Sequence, residues 1–383
     1  MTGTSVPGAA VATVEVFLLE FPLSPPAGVS VGYATSHDYV LVRLRDADGR
    51  SGWGETYALP GTAATVLALA ELLLGADPGR LRDHRRTLVA TAASAYARSA
   101  VLIAIDDLRA RQAELPLHRL YGGPTRDSVP AYAASQGYVQ GVPFEETWQQ
   151  EAASYVAAGY RAIKLRIGRH PVDEEVAALR RVRELVGDDM TLLFDGNGGY
   201  SLDQAVRMGR ALFELGAGWF EEPLPQRDYR RYPQLARKLD VALAGGEIVE
   251  SPAEALRLLE DGAVHVLQPE PVICGGLEGA VRIADLAATY QVPVVPHTSG
   301  AAIGIATAVQ LLACLDDPTG SPSGPPLMLE LGQGPNPWRT DLLTVPIEPG
   351  PDGLVAVPTG PGLGVEVDEE LVRSRASHHA TAS

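Results

Sequence analysis

Three acidic residues, Asp195, Glu221 and Glu247, each close a short apolar run, and successive members stand 26 residues apart. A strand, a helix and two short loops consume about that many residues, so the acids share one phase of a repeating β/α unit. At the carboxyl ends of adjacent parallel strands such residues converge. Three carboxylates gathered there repel one another unless a cation lies between them, and hard oxygen donors suit Mg²⁺. Other runs end in complementary groups. Lys164-Leu165-Arg166 alternates so that both cations share a strand face, next to the acids that would balance them. Gln268-Pro269-Glu270, Pro296-His297 and Leu329-Glu330 add one imidazole and two carboxylates, the groups that carry protons near neutral pH. Ser135 and Asn197, also at strand exits, are candidate substrate contacts.

The elements that must position these residues are legible in outline. Eight candidate strands span Val129–Ser135, Ala162–Ile167, Thr191–Gly196, Gly218–Glu222, Val241–Glu247, Val264–Gln268, Pro293–His297 and Leu327–Leu331. Amphipathic stretches with explicit caps separate them: Ser201 with Gln204 fits a capping box, and Ser251-Pro252-Ala253-Glu254 joins an N-cap serine to an N1 proline and an N3 acid. Gly159, Gly187, Gly216 and Gly262 follow the expected helix ends. Eight such units predict a closed (β/α)8 TIM-type barrel over residues 127–340. No G-x-G-x-x-G or G-x-x-x-x-G-K-[ST] follows a strand, which removes the usual nucleotide sites.

Residues 1–126 read as a separate α+β unit, with strands over Val11–Phe21 and Tyr39–Arg45 and helices over Thr62–Leu74 and Ala95–Glu114. Between the strands, Pro22–His37 reads as a loop, either mobile surface or lid. Residues 341–383 break into short strands and turns and are expected to return to the first unit, with Ser374–Ser383 frayed.

The 383 residues suit a barrel of about 250 plus a second unit. A net charge of −16 argues against nucleic acid. Two cysteines without metal-ligand spacing point to a reduced, cytoplasmic protein, and neither a signal peptide nor a membrane span is predicted.

Taken in order, from Gly52-Trp53-Gly54-Glu55 through Lys164-Leu165-Arg166 and the three acids to Glu330, the series resembles the mandelate racemase subgroup of the enolase superfamily. The resemblance implies a modified barrel under an α+β capping domain built from the N-terminal part and the C-terminal tail. It also implies Mg²⁺ held by Asp195, Glu221 and Glu247, and a base pair of His297 and Glu270. Lys164 would meet a substrate carboxylate, Glu330 would hydrogen-bond the opposite side of the enediolate, and the protein would be a symmetric homo-oligomer acting on small carboxylates. Two positions depart from the family pattern. Arg166 replaces a lysine base, and guanidinium is a poor base but a good clamp. Glu270 replaces an aspartate, one methylene longer, and must reach His297 to orient it. With one base in place of two, dehydration of an acid sugar is expected ahead of racemisation or epimerisation. A non-catalytic metal- and carboxylate-binding barrel is the third reading. Specificity is expected in Pro22–His37, Thr56–Thr62 and the region after the eighth strand.

Overall fold

Alternation of apolar residues along the first strands has an unusual outcome, because both faces are buried. In the computed structural model, which describes residues 8–316 and 327–383, β1 (Val11–Val29), β2 (Gly32–Asp46) and β3 (Ser51–Tyr57) form an antiparallel meander. One face, with Val14, Val16, Val40 and Val42, packs on Val66, Leu69, Val101 and Ile105 of the helices Thr62–Glu71 and Ala95–Gln112. The other, with Phe17, Leu19, Leu41 and Trp53, joins the larger core that runs into the second domain.

That second domain is built on a parallel sheet. Its strands are β4 (Ser128–Ala134), followed by the short β5 (Tyr138–Val139) that leaves the sheet, then β6 (Ala162–Arg166), β7 (Thr191–Asp195), β8 (Ala217–Glu221), β9 (Leu243–Gly245), β10 (Val266–Leu267) and β11 (Leu329–Gly332). They lie in the order β10-β9-β8-β7-β6-β4-β11. Helices fill the crossovers, and the predicted capping box at Ser201 and the serine cap at Ser251 are both formed. Inside, Tyr132, Leu193, Trp219, Val266, Val295 and Met328 form a separate cluster, a packed interior rather than a channel.

The predicted strand Pro293–His297 is reduced to a single bridge, Val294 beside Leu267, and among the described residues no ladder pair joins it to β11. Pro293 and Pro296 explain this, since neither has an N–H to donate to a ladder. The seam is spanned instead by Thr298, whose backbone N–H and hydroxyl both donate to Glu330.

Two further expectations are corrected. Pro22–His37 is not a loop: β1 and β2 run on as a hairpin to Val29 and Gly32, with a register shift between Pro22 and Ala27 that accommodates the prolines. Ala27 and Gly28 then pair with β5. The hairpin tip lies on the barrel, where the Ser30 hydroxyl donates to the Gly196 carbonyl at 2.7 Å and Arg169 donates to the Val29 carbonyl at 3.1 Å. Nor is the C-terminus frayed. After β12 (Leu354–Ala356), which pairs with β4, the chain ends in β13 (His378–Ala382), antiparallel to β1. His379 there stacks on Phe17 with ring centroids 4.5 Å apart and faces Glu15 at 3.1 Å. No described helix is long and apolar enough to cross a membrane.

Candidate active site

Strand register brings the strand-end residues together. Arg166 on β6 is the Cα partner of Asp195 on β7, which is in turn the partner of Glu221 on β8. Glu247 follows β9 by two residues, through Gly246 at φ +105°, where a Cβ would also press on Leu267. Asn197 and Glu222, which follow Asp195 and Glu221 closely, hold φ of +42° and +35°, a strained backbone of the kind that gathers at functional sites.

Lys164 is wholly buried. Its ammonium lies 2.7 Å from Glu330 Oε1, 2.8 Å from Glu221 Oε1 and 3.7 Å from Asp195 Oδ2. Burial alone would lower its pKa, but Glu221, Glu330 and Asp195 outweigh burial and raise it. Burial likewise opposes ionisation of Glu330, yet Lys164, His297 and Arg166 pull its carboxyl down to about 2. Arg166 donates to Asp195 Oδ2 and Asn197 Oδ1, both at 3.1 Å, and to the Ser135 carbonyl at 3.3 Å. Its guanidinium is therefore engaged and stays charged. The Ser135 hydroxyl accepts from the Arg166 backbone N–H at 3.2 Å.

Glu270 reaches His297, with Nδ1 and Oε2 2.6 Å apart. Tyr57 O–H and Ser299 N–H donate to the same oxygen, each at 3.3 Å. The other ring nitrogen, Nε2, lies 3.2 Å from Glu247 Oε2. Burial would hold the imidazole neutral, but Glu247, Glu330 and Glu270 raise its pKa to about 10. A divalent cation among the same acids would withdraw that pull, because the local charge would then be the ion's.

Among the described residues one group of donors is close enough to hold a metal: Glu221, Glu247 and His297, with one ligand atom each within 4.8 Å of one another. The set expected from sequence named Asp195 instead of His297. Asp195 stands beside the group, but its carboxylate is drawn to Arg166 and to the side chain and backbone N–H of Asn197. The donor chemistry fits a hard divalent ion, since among the described residues buried Glu247 Oε2 accepts no well-formed hydrogen bond, with only the His297 imidazole near it, and burial pushes the Asp195 and Glu221 carboxyls up. Gln268 and Trp219 donate to Glu221 Oε2 at 2.8 and 3.1 Å, and Gln226 bridges Glu222 and Glu247.

Arg166, Asn197, Glu247, His297 and Tyr57 line a cavity of about 640 Å³, a size suited to a small molecule. A narrower space of about 180 Å³, lined by His37, Tyr39, Ser135, Glu330 and Asn336, shares Arg166 and Ser299 with it. In sequence Gln268 reads only as a strand end and Tyr57 only as part of the Thr56–Thr62 stretch, so neither receives a role, although each stands two residues from a singled-out acid, Glu270 or Glu55. Strand alternation was the available signal for Tyr57.

The comparisons agree with this architecture. Residues 11–122 match the mandelate racemase / muconate lactonizing enzyme N-terminal domain, and residues 147–371 match the enolase C-terminal domain-like model. The chain is 33% identical to D-galactarolactone cycloisomerase of Agrobacterium fabrum over 377 residues, covering 94% of this chain and 97% of that protein. It is 28% identical to arabinonate dehydratase of Saccharolobus solfataricus, covering 86% and 88%. Among solved structures, L-talarate dehydratase from Polaromonas sp. JS666, complexed with Mg and L-glucarate, superimposes with a TM-score of 0.83 at 26% identity, covering 98% of this chain and 99% of that one. With both of its domains matched, the chain belongs to the mandelate racemase / muconate lactonizing enzyme family of the enolase superfamily.

Proposed function

We propose that this protein is a Mg²⁺-dependent lyase that dehydrates an acid sugar to a 2-keto-3-deoxy acid. The observation that carries the reading is the His297–Glu270 pair, 2.6 Å apart, whose imidazole lines a cavity together with Arg166. One imidazole can serve twice in an elimination. Glu270 holds the Nδ1 proton, leaving Nε2 to take the proton from the carbon next to the carboxylate. The same nitrogen then protonates the hydroxyl leaving the adjacent carbon, the C–O bond breaks, and water departs. The enol left behind tautomerises to the ketone. Racemisation would need a second base, and Arg166 cannot release its proton.

Removing that α-proton puts a second negative charge on a carboxylate. Lys164 neutralises it and the ionised Glu330 holds that ammonium in place, while Arg166 grips a hydroxyl or a distal carboxylate, with Ser135 and Asn197 fixing its plane. Asp195, Glu221 and Glu247 would hold the Mg²⁺, which offsets the developing charge as a Lewis acid. Relatives of both kinds, dehydratases and a cycloisomerase, support elimination next to a carboxylate. The likeness to a cycloisomerase supports a second reading, in which the leaving oxygen belongs to the substrate's own ring and the product is an isomer.

Incubation with Mg²⁺ and a library of open-chain and cyclic acid sugars distinguishes the two. Loss of water with a new 2-keto group supports dehydration, and a keto product of unchanged mass supports ring opening. Deuterium uptake at the α-carbon with neither change points to an epimerase, and inertness towards every member overturns the proposal. Mg²⁺ at a hundred times its dissociation constant should also stabilise the fold by about 2.7 kcal/mol. Urea melts with Mg²⁺ and with EDTA measure this, and coincident curves would refute metal binding.

A further inference from the structure

Three consecutive residues of β3 cross from the first domain into the barrel. The Glu55 carboxylate accepts from the backbone N–H groups of Ala301, Ile303 and Gly304 at 2.6, 3.0 and 3.1 Å, capping the helix Ala302–Leu312. The Thr56 hydroxyl donates to the Val272 carbonyl at 3.1 Å. The Tyr57 hydroxyl donates to Glu270 Oε2 at 3.3 Å. Glu55 therefore holds the segment just after His297, Thr56 the segment just after Glu270, and Tyr57 the Glu270 carboxylate itself.

The strand that makes these contacts has little freedom to shift. At Gly52 and Gly54 a Cβ would overlap the Ala104 and Ala100 carbonyls of the helix behind, so only glycine lets β3 lie this close. Tyr39 adds a further tie, donating to the Ser299 carbonyl at 2.9 Å.

A glutamate carboxylate has one more rotatable bond than an aspartate and needs more to hold it. Glu270 Oε1 has no donor, so its orientation depends on the three donors that converge on Oε2: His297, Ser299 and Tyr57. Of these, only Tyr57 comes from the first domain. We infer that Tyr57 is a positioning residue that aims the longer Glu270 side chain at His297, so that docking of the first domain on the barrel completes the proton-transfer pair. The inference rests on the proposed roles of Glu270 and His297.

The test compares native enzyme with Tyr57→Phe, both with Mg²⁺, by ¹⁵N-histidine NMR and by turnover. In native protein the His297 Nδ1 proton, buried against Glu270, should give a slowly exchanging downfield resonance. Tyr57→Phe should shift that resonance and speed its exchange with water, leave the thermal midpoint in place, and lower kcat about tenfold with KM essentially unchanged. In a Glu270→Asp background, where the shorter carboxylate already lies beyond the phenol, the same change should have no further effect. An unaltered resonance in Tyr57→Phe overturns the inference, and so does a rise in KM alone, which would make Tyr57 a substrate contact. Should Tyr57→Phe not fold, Tyr57→Leu must shift the resonance, and failure to do so overturns the inference equally. A shifted resonance in a protein inert towards every acid sugar would keep this inference and remove the proposed reaction.

Discussion

Replacing His297 with asparagine is expected to lower kcat by about three orders of magnitude while leaving Mg²⁺ affinity nearly unchanged. Acid-base groups contribute roughly 10²–10⁴ to turnover, and the middle of that range is expected for the one group assigned both transfers. The metal half of the prediction is the sharper one. His297 Nε2 stands with Glu221 and Glu247 as a potential ligand, yet Mg²⁺ prefers carboxylate and water oxygens, and imidazole suits softer ions. If the ion recruits Asp195, the imidazole is left free for protons. Calorimetric titration of Mg²⁺ into His297→Asn decides this. Lost affinity would make His297 a ligand and leave the proposed elimination without its base, whereas Asp195→Asn should be the variant that weakens binding.

The second large effect concerns stability. Lys164→Met should destabilise the metal-free protein by about 3–5 kcal/mol, the cost of removing one partner from a buried charge cluster. Lys164 is wholly buried and is the ammonium between Glu330, Glu221 and Asp195. Methionine fills most of the space, so packing is nearly conserved and the loss isolates the electrostatics. Arg166 remains beside Asp195 at 3.1 Å but makes no ion pair with Glu330. Bound Mg²⁺ would take over part of the neutralisation, so the deficit should shrink when the ion is present. Denaturant unfolding in EDTA and in Mg²⁺ measures both numbers. A loss under about 1 kcal/mol in both conditions would mean that the cluster is not held by this charge.

Glu270 and Arg166, the two departures from the family pattern, were visible as residue types, but their consequences were not. Whether one extra methylene lets a carboxylate meet an imidazole depends on a backbone 27 residues away in sequence, and the 2.6 Å contact depends on the turn that places it. Arg166 reads in sequence as a cation on a strand. Its commitment to Asp195, Asn197 and the Ser135 carbonyl depends on parallel register with neighbours on both sides.

Errors about the fold have a common physical origin. Pro22–His37 has the composition of a loop, yet pairing with its own neighbour and with β5 supplied the backbone partners that local propensity does not provide. His378–Ala382 looked like a frayed end until β1 offered an open edge. Pro293–His297 erred the other way, since its apolar character suggested a strand while its two prolines withheld donors.

Sequence alone determined the periodic part of this protein: apolar runs of strand length, caps and glycines between them, and chemistry-bearing residues at a constant phase. These are local properties, set by side-chain alternation and helix-end hydrogen bonding within a few residues. The tertiary structure alone decided which carboxylate oxygens face Lys164, whether Glu270 meets His297, and that Tyr57 joins them from another domain. Distances of that kind depend on how separately folded elements pack, and charges buried among them take their ionisation from neighbours remote in the chain.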